Sequence, residues 1–296
     1  MNAIIFGAGG QDGYYLEQIC RSRGIDVIGV SLWGPARIRG DIADFAVVER
    51  IIAENKPDYV FHLAASSTTR HDALFENHSA ISTGTINILE AVKRHSPASK
   101  VFITGSGVQF KNNGKPISEA DEFEANSPYS VARIQSVYAA RYYRSLGIRT
   151  YVGYLFHHES PFRDESHVSK MITNAVQRIS SGSQEKITLG DLSVKKEWTF
   201  AGDTVEGMFT LVQQDEVFEA VIGSGVPYSI ENWLEVCFGI IGRKWNDYVI
   251  LREGFKSEYP LLVSNPFKIH QLGWSPKISF RQLAEIMINY SPQVKL

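Results

Sequence analysis

Three residues in the middle of the chain have the types and spacing that proton transfer to or from a hydroxyl requires. Tyr129 begins a predicted helix, just after Ser127-Pro128, and Arg133 follows four residues later on the same helix face. Ser106 ends a predicted strand. A nearby cation favours proton exchange between a phenol and a substrate, while a serine hydroxyl orients the reacting oxygen. We therefore predict Tyr129 as an acid–base with Ser106 and Arg133 as catalytic partners. The alternative is a half-buried tyrosine beside a surface arginine.

A glycine-rich turn between the first predicted strand and the first predicted helix suits phosphate binding. Gly7, Gly10 and Gly13 are spaced three residues apart. This spacing combines a tight turn, bare backbone beside a pyrophosphate, and close packing of the helix on the strand. The helix N-terminus adds free N–H groups and the positive end of its dipole. We predict that these glycines, with Gln11 and Asp12, bind a dinucleotide rather than forming a purely structural turn.

The residues after the second strand indicate which dinucleotide is bound. An acidic residue at the end of that strand would bind the ribose diol of NAD, but residues 30–33 contain none. Arg37 and Arg39 follow, and the planar fork of arginine pairs well with a 2′-phosphate. The sequence thus favours NADP(H) over NAD(H), unless both arginines lie on a solvated loop. Asp41 and Ile42 are predicted to cover the adenine edge.

The overall composition narrows the class of protein. The chain has 296 residues, of which 44% are hydrophobic, and a formal net charge of -2. The absence of a basic excess argues against a nucleic-acid partner and against membrane-surface binding. No apolar run reaches the roughly 18 residues of a membrane-spanning helix. Because the first residues lack a basic leader, a cytoplasmic protein is predicted.

Neither the cysteines nor the histidines predict a metal site. Cys20 and Cys237 are too few for a disulfide scaffold or a thiolate zinc site. His157, His158 and Glu159 are consecutive, and neighbouring side chains of an extended segment point to opposite faces. We therefore expect no metal.

Alternating strands and helices must position these residues. Apolar runs predict strands at 3–7, 25–30, 59–65, 100–104 and 150–156, with helical periodicity between them. This alternation predicts an α/β fold, a doubly wound parallel sheet (Rossmann) with helices on both faces. Beyond residue 162 short strands and helices mix, which predicts a smaller interleaved C-terminal substrate lobe. We place the dinucleotide-binding domain at 1–162 with a return near 199–222, and the substrate lobe mainly at 163–296.

Several short motifs are distributed over nearly the whole chain. They are Gly10-Gln11-Asp12-Gly13, His62-Leu63-Ala64-Ala65, Ser127-Pro128-Tyr129, the segment 155–161, the segments 189–192 and 196–198 with Asp203, and Leu272-Gly273-Trp274. Together they resemble the extended short-chain dehydrogenases/reductases (the NAD-dependent epimerase/dehydratase family), and within them the GDP-mannose 4,6-dehydratase group. The resemblance implies NADP in the sheet domain, a GDP-linked sugar in the C-terminal lobe, and a homodimer or homotetramer.

The same resemblance implies further binding residues. Leu63, Ala64 and Ala65 are implied to contact the cofactor, as are Tyr129 and Arg133. The implied substrate contacts are Ser66, His157, His158, Glu159, Arg163, Lys196, Trp198 and Glu258.

Three departures from the family pattern bear on the reaction. Arg133 stands where the family has lysine, Lys196 where it has arginine, and Val108 where the dehydratases have glutamate. In the family mechanism the sugar is oxidised at C4 by hydride transfer to NADP. The glutamate then removes the C5 proton so that water leaves from C6. Valine cannot move a proton, and losing a general acid–base costs roughly 10²–10⁴-fold in rate.

We therefore expect an NAD(P)-dependent oxidoreductase acting at C4 of a GDP-linked hexose or deoxyhexose, as a 4-keto sugar reductase or a C4 dehydrogenase. One alternative is a GDP-mannose 4,6-dehydratase-like lyase that uses an unrecognised base. Another is a catalytically impaired protein that still binds the cofactor.

Overall fold

A computed structural model describes residues 1–33, 36–255, 257 and 259–290. Its strands, in chain order, are β1 (Asn2–Phe6), β2 (Asp26–Ser31), β3 (Ile38–Arg39), β4 (Tyr59–His62), β5 (Lys100–Ser106), β6 (Arg149–Leu155), β7 (His158–Glu159), β8 (Ile187–Leu189), β9 (Lys195–Lys196), β10 (Thr199–Phe200), β11 (Glu219–Ile222), β12 (Tyr228–Ser229), β13 (Val249–Leu251) and β14 (Leu261–Leu262). The α-helices are α1 (Gln11–Ser22), α2 (Phe45–Asn55), α3 (Leu74–Asn77), α4 (Gly84–His95), α5 (Pro128–Ser145), α6 (Val168–Ser180), α7 (Ala201–Val212), α8 (Ile230–Ile240), α9 (Phe267–Gln271) and α10 (Phe280–Asn289). Within the described residues, no helix combines the length and the apolar character needed to cross a membrane.

Seven of the described strands form one parallel sheet, in the order β11-β6-β5-β4-β1-β2-β3. The chain first runs from β1 outwards to β3. It then returns to the other side of β1 through β4, β5 and β6. This is the doubly wound topology that the alternation of elements predicts, and the α/β fold class is confirmed. The order reverses between β1 and β4, and ligands of such sheets bind outside the carboxyl ends of the strands at that point.

Side chains of β1 alternate between two cores. Ile4 and Phe6 pack with residues of α2, α4 and α5, whereas Ala3 and Ile5 pack with residues of α1 and α7. Successive side chains of a strand point to opposite faces. A strand that is covered on both faces therefore has a continuous run of apolar residues, and the apolar run at residues 3–7 predicts such a buried strand.

A third core lies between α6, α8 and α10 in the C-terminal lobe. At its centre the indoles of Trp198 and Trp233 stack with their ring centroids 4.6 Å apart. Short strand pairings surround this core, in the orders β12-β9-β14, β13-β8 and β10-β7. Between them the chain crosses to the main sheet, where α7 packs on α1 and β11 pairs with β6. The lobe and the sheet thus share one continuous path of chain.

The helical periodicity between the strands predicted at 59–65 and 100–104 does not form a single regular helix. A π-helical segment, His78–Thr83, joins α3 to α4. The carbonyl of Ile81 accepts hydrogen bonds from the hydroxyls of Thr85, at 2.7 Å, and Ser136, at 3.1 Å. Side-chain hydroxyls that bond to helix carbonyls compete with the backbone ladder and favour such irregularities. Apolar periodicity does not register this competition.

Candidate active site

The turn from β1 to α1 brings bare backbone to the edge of the sheet. Gly7 has a φ of 94°, and a Cβ there would lie 2.6 Å from the backbone nitrogen of Ala64. A Cβ at Gly13 would lie 2.5 Å from the Gly7 carbonyl oxygen, so both positions require glycine. Gly10 precedes α1, and a Cβ on it would meet only the Gly7 carbonyl, at 3.4 Å. The first N–H groups of α1 have no helical partners, so the turn fits a dinucleotide pyrophosphate.

A cleft of about 660 Å³ opens beside this turn, between the sheet and the C-terminal lobe. It lies outside the carboxyl ends of the central strands, as the topology predicts. The predicted site residues that line it are Gly7, Gly10, Gln11, Asp12, Gly13, Leu63, Ala65, Ser106, Tyr129, Arg133, His157, His158, Arg163 and Lys196. Residues predicted to bind the cofactor, to take part in catalysis and to bind the substrate therefore line the same cleft.

The start of α5 carries Tyr129 into the cleft. The hydroxyl of Ser127 caps this helix by accepting the N–H of Ser130 at 3.1 Å, and a proline is the first helical residue. Ser106, the last residue of β5, lines the same cleft. Arg133 is only 4% exposed, and its Cζ lies 5.0 Å from the centroid of the Tyr129 ring. The arginine is thus a buried cation–π neighbour of the tyrosine rather than a surface residue.

The cleft wall next to Ser106 is apolar. Val108 lines the cleft two residues further along and packs against the core that faces α2, α4 and α5. Among the described residues that line the cleft, Asp12 is the one carboxylate. It is paired with His158, whose Nε2 lies 3.0 Å away. The described lining therefore holds no free carboxylate near Tyr129.

Two contacts join the glycine turn to the segment that follows β6. His158 Nε2 lies 3.0 Å from Asp12 Oδ1, and the hydroxyl of Ser160 donates to Gln11 Oε1 at 2.8 Å. His158 Nδ1 lies 2.7 Å from the Phe156 carbonyl, so each ring nitrogen faces a hydrogen-bond acceptor. The ring can donate from both nitrogens only when it is protonated to the imidazolium. Burial would lower the pKa of His158, but Asp12 outweighs burial and the pKa is raised. Burial would raise the pKa of Asp12, but His158 holds it below its ordinary value.

A second charged cluster lies on the lobe side of the cleft. Lys196 Nζ lies 2.9 Å from His157 Nε2, and that nitrogen lies 2.8 Å from the fully buried carboxylate of Glu159. Arg163 Nε lies 3.6 Å from the same carboxylate. Burial lowers the pKa of Lys196 to about 8, and burial together with Lys196 lowers the pKa of His157 to about 3. At neutral pH two cations therefore oppose one carboxylate, and the cluster carries a net positive charge.

Trp198, expected to contact the substrate, lies instead in the core of the lobe. It is 4% exposed, stacks on Trp233 and donates its indole N–H to the Tyr228 carbonyl at 3.0 Å. The face of its ring lies 4.9 Å from the ammonium of Lys196, which it supports from behind. Glu159 is likewise fully buried and supports the lining without forming part of it. Burial removes the apolar indole from water, whereas the buried carboxylate depends on the neighbouring His157 and Arg163.

The residues expected at the adenine end do not line the cleft. Arg37 borders a separate cavity of about 130 Å³ beside α1, and the exposed Arg39 ends β3. Asp41 is exposed, whereas Ile42 is buried against α4. Ala64 supports the turn through its backbone, as described above. Their contacts with the far end of an extended cofactor remain predictions. Glu258, expected to contact the substrate, lies outside the described residues.

The loop after β4 supplies lining residues that the sequence analysis missed. Ser66 is absent from the described lining, but the four residues after it are present, namely Ser67, Thr68, Thr69 and Arg70. Ser166, His167 and Tyr259 contribute from the lobe. The available signal for the loop was its position, because it directly follows a buried strand whose carboxyl end faces the crevice. No comparable signal marks the residues of the lobe.

The sequence and the fold both match characterised proteins. A model of the GDP-mannose 4,6 dehydratase family matches residues 35–287. GDP-mannose 4,6 dehydratase 2 of Arabidopsis thaliana is 32% identical over 319 residues, which cover 97% of this chain and 86% of the relative.

Solved structures share the fold at low identity. UDP-glucose 4-epimerase of Thermotoga maritima, solved with UDP-glucose, superposes with a TM-score of 0.88 at 20% identity over 98% of each chain. RMD of Pseudomonas aeruginosa, solved with NADPH, superposes with a TM-score of 0.87 at 18% identity over 97% of each chain. The chain belongs to the GDP-mannose 4,6-dehydratase family, within the extended short-chain dehydrogenases/reductases.

Proposed function

We propose that the chain is an NAD(P)-dependent nucleotide-sugar oxidoreductase acting at C4 of a GDP-linked hexose or deoxyhexose, as a 4-keto sugar reductase or a C4 dehydrogenase. One observation carries the proposal: Ser106, Tyr129 and Arg133 line one cleft, with the guanidinium beside the tyrosine ring, and Val108 lines it two residues after Ser106. The groups needed to exchange the proton of a sugar hydroxyl are present. Apart from Asp12, which is paired with His158, the described lining holds no carboxylate that could remove a C–H proton.

Tyr129 would move the proton of the C4 oxygen. Bound NAD(P) supplies the hydride acceptor or donor. As the phenolate, Tyr129 accepts the O–H proton when the alcohol is oxidised, and as the phenol it donates a proton to the carbonyl oxygen in the reverse direction. The Ser106 hydroxyl hydrogen-bonds the same oxygen and fixes its direction. The buried guanidinium of Arg133 lies beside the Tyr129 ring, so a fixed positive charge is close to the group that exchanges the proton.

The lobe side of the cleft suits the diphosphate of a nucleotide sugar. Lys196 and Arg163 bring positive charge to the lining, and the buried Glu159 offsets only part of it. Charged donors of this kind bind phosphate oxygens strongly. The relative from Arabidopsis thaliana is named for GDP-mannose, which supports GDP as the nucleotide. Thermal shifts with GDP, UDP, CDP and dTDP check this choice, and we expect the largest shift with GDP.

Turnover with NADPH and a GDP-4-keto-6-deoxy sugar tests the proposal directly. We expect NADPH oxidation by the wild type and a loss of roughly 10²-fold or more for Tyr129→Phe. Tyr248→Phe, in the lobe and outside the described lining of the cleft, is the matched control and should leave the rate unchanged. No NADPH oxidation with any of several keto sugars would overturn the proposal.

A GDP-mannose 4,6-dehydratase-like lyase is the second candidate. The family model and the curated relatives favour it over the C4 oxidoreductase. The lyase starts with the same oxidation at C4 but needs a further base for the C5 proton. Conversion of GDP-mannose to a 4-keto-6-deoxy product without added reductant would establish this function over the first. Tight cofactor binding without either reaction would indicate an impaired enzyme.

A homodimer or homotetramer is the assembly we propose. Large apolar side chains are exposed on α5 and on the two helices packed against it, α3 and α4, namely Phe75, Ile86, Val131, Tyr138 and Tyr142. An exposed apolar patch of this kind is typical of a protein interface. Light scattering coupled to size-exclusion chromatography measures the assembly, and a monomer at micromolar concentration would contradict it.

A further inference from the structure

Arg133 is a buried cation with neutral partners. One of its terminal nitrogens, Nη1, donates to the Thr104 carbonyl at 2.6 Å and also to the Thr104 hydroxyl. Its Nε is buried without a hydrogen-bond partner, and no ion pair within the described residues includes this arginine. A buried charge without a counter-ion is costly unless hydrogen bonds compensate it. The two bonds to Thr104 are therefore central to keeping the guanidinium in place.

The Thr104 hydroxyl is oriented for this contact by the neighbouring strand. It donates its hydrogen to the His62 carbonyl of β4 at 3.1 Å, so its lone pairs are left to accept from Arg133. Burial, with the charge of Arg133 as a second cause, lowers the pKa of His62 to about 3, and this ring is neutral at the pH of the cell. Hydrogen bonds thus connect three elements: the Arg133 guanidinium of α5 donates to Thr104 of β5, and the Thr104 hydroxyl donates to the His62 carbonyl of β4.

This connection determines where the charge lies relative to the tyrosine. Both Thr104 and Arg133 line the cleft, and the Arg133 Cζ lies 5.0 Å from the Tyr129 ring centroid. An arginine is longer than the lysine of the family pattern, and its planar guanidinium holds its donors in a fixed fork. Bonding to the end of β5 draws that longer side chain back against the sheet.

We propose that Thr104 is a positioning residue, which holds the Arg133 guanidinium beside Tyr129 and so allows an arginine to serve where the family has lysine. The proposal rests on the C4 oxidoreductase function proposed above. Thr104 acts through Arg133 in this scheme and has no proton-transfer role of its own.

Three variants test the positioning role. Thr104→Val keeps the shape of the side chain but removes the hydroxyl, whereas Thr104→Ser keeps the hydroxyl. We expect Thr104→Val to lower kcat by about tenfold or more, because a hydrogen bond to a charged group is worth at least that factor. KM for the sugar nucleotide should change little, and Thr104→Ser should retain most of the activity. In an Arg133→Lys background, Thr104→Val should cost less than about twofold, since the bond it removes is already gone.

The kinetic results separate positioning from simple support of the fold. A kcat for Thr104→Val within twofold of the wild type would overturn the proposal. So would an equal loss in the Arg133→Lys background, because Thr104 would then act independently of the arginine. A general loss of folding would instead lower the amount of active protein, which active-site titration with NADPH measures, so kcat is calculated per titrated site.

A second measurement does not depend on turnover. If the wild type reduces no keto sugar, the proposed function fails, and chemical unfolding of Thr104→Val, Arg133→Met and the double variant still decides this proposal. Non-additive shifts of the unfolding midpoint support the held guanidinium, since methionine removes the buried charge that needs the hydroxyl. Additive shifts would show that the two side chains are not coupled and would overturn it.

Discussion

His158 Nε2 lies 3.0 Å from Asp12 Oδ1, although the two residues are 146 positions apart in the sequence. Asp12 belongs to the first turn of α1, and His158 begins β7 at the entrance to the lobe. The ion pair therefore fixes the glycine turn relative to the segment that leads into the lobe. The two sides of the cleft are coupled through one largely buried pair of charges.

Stability should depend on pH through this pair. The pKa of Asp12 is lowered in the folded protein. The carboxylate therefore adds to the free energy of unfolding above its ordinary pKa of 3.8, and this stabilisation is lost as pH falls through the lowered pKa. The pKa of His158 is raised in the folded protein. The imidazolium therefore adds to the free energy of unfolding below its ordinary pKa of 6.5, and this stabilisation is lost as pH rises through the raised pKa. His158→Gln should therefore cost roughly 3 kcal/mol between these two values, and less at alkaline pH.

Urea unfolding at a series of pH values measures this dependence. His95→Gln is the matched control, because His95 pairs with Glu49 at the surface, where an ion pair contributes little to stability. A free-energy difference between wild type and His158→Gln that stays constant from mildly acidic to alkaline pH would contradict the expected role of the charged pair.

Local signals predict the position of Tyr129 but not the surroundings of Arg133. A serine followed by proline is a helix start that can be identified within a few residues, and the apolar runs of the parallel strands are equally local. The burial of Arg133 depends on Thr104, which lies 29 positions away. Helix spacing places the arginine beside the tyrosine, but it does not show which groups satisfy the guanidinium.

The same distinction applies to Trp198, which the family resemblance implies as a substrate contact and which the structure buries in the lobe. The motif identifies the segment, and Lys196 of that segment lines the cleft. Two residues later the chain turns the indole into the lobe, against Trp233. Which side of a two-residue strand faces a cavity depends on packing between distant segments, and a motif carries no information on it.

Arg37 and Arg39 should determine the preference between the two dinucleotides. Replacing both with alanine should raise the dissociation constant of NADPH by about tenfold or more and leave that of NADH unchanged, because only NADPH carries the 2′-phosphate. Fluorescence titration with each cofactor measures both constants. Arg50→Ala, which removes an exposed arginine from α2, is the control. A parallel loss of affinity for both cofactors would show that these arginines do not recognise the 2′-phosphate.

Lys196 should make diphosphate binding sensitive to pH. Burial lowers its pKa to about 8, so in the protein without ligand the side chain is a charged ammonium below that pH and a neutral amine above it. Affinity for GDP should fall by up to about tenfold per pH unit above 8 in the wild type. Lys196→Arg keeps its charge and should bind with a flatter profile, while Lys196→Gln should bind weakly at every pH. Titration calorimetry measures the profiles, and an unchanged slope in Lys196→Gln would assign the titration to another group.

Val108 is the position that should decide between oxidation and elimination. It lines the cleft two residues after Ser106, so a carboxylate placed there would face the same space as Tyr129. If the wild type lacks a base for the C5 proton, Val108→Glu should form a 4-keto-6-deoxy product from GDP-mannose at least about tenfold faster than the wild type. Val108→Gln has the same length without a titrating group and should remain as slow. A wild type that already forms this product as fast as Val108→Glu would mean that another residue removes the proton, and the chain would then be a dehydratase.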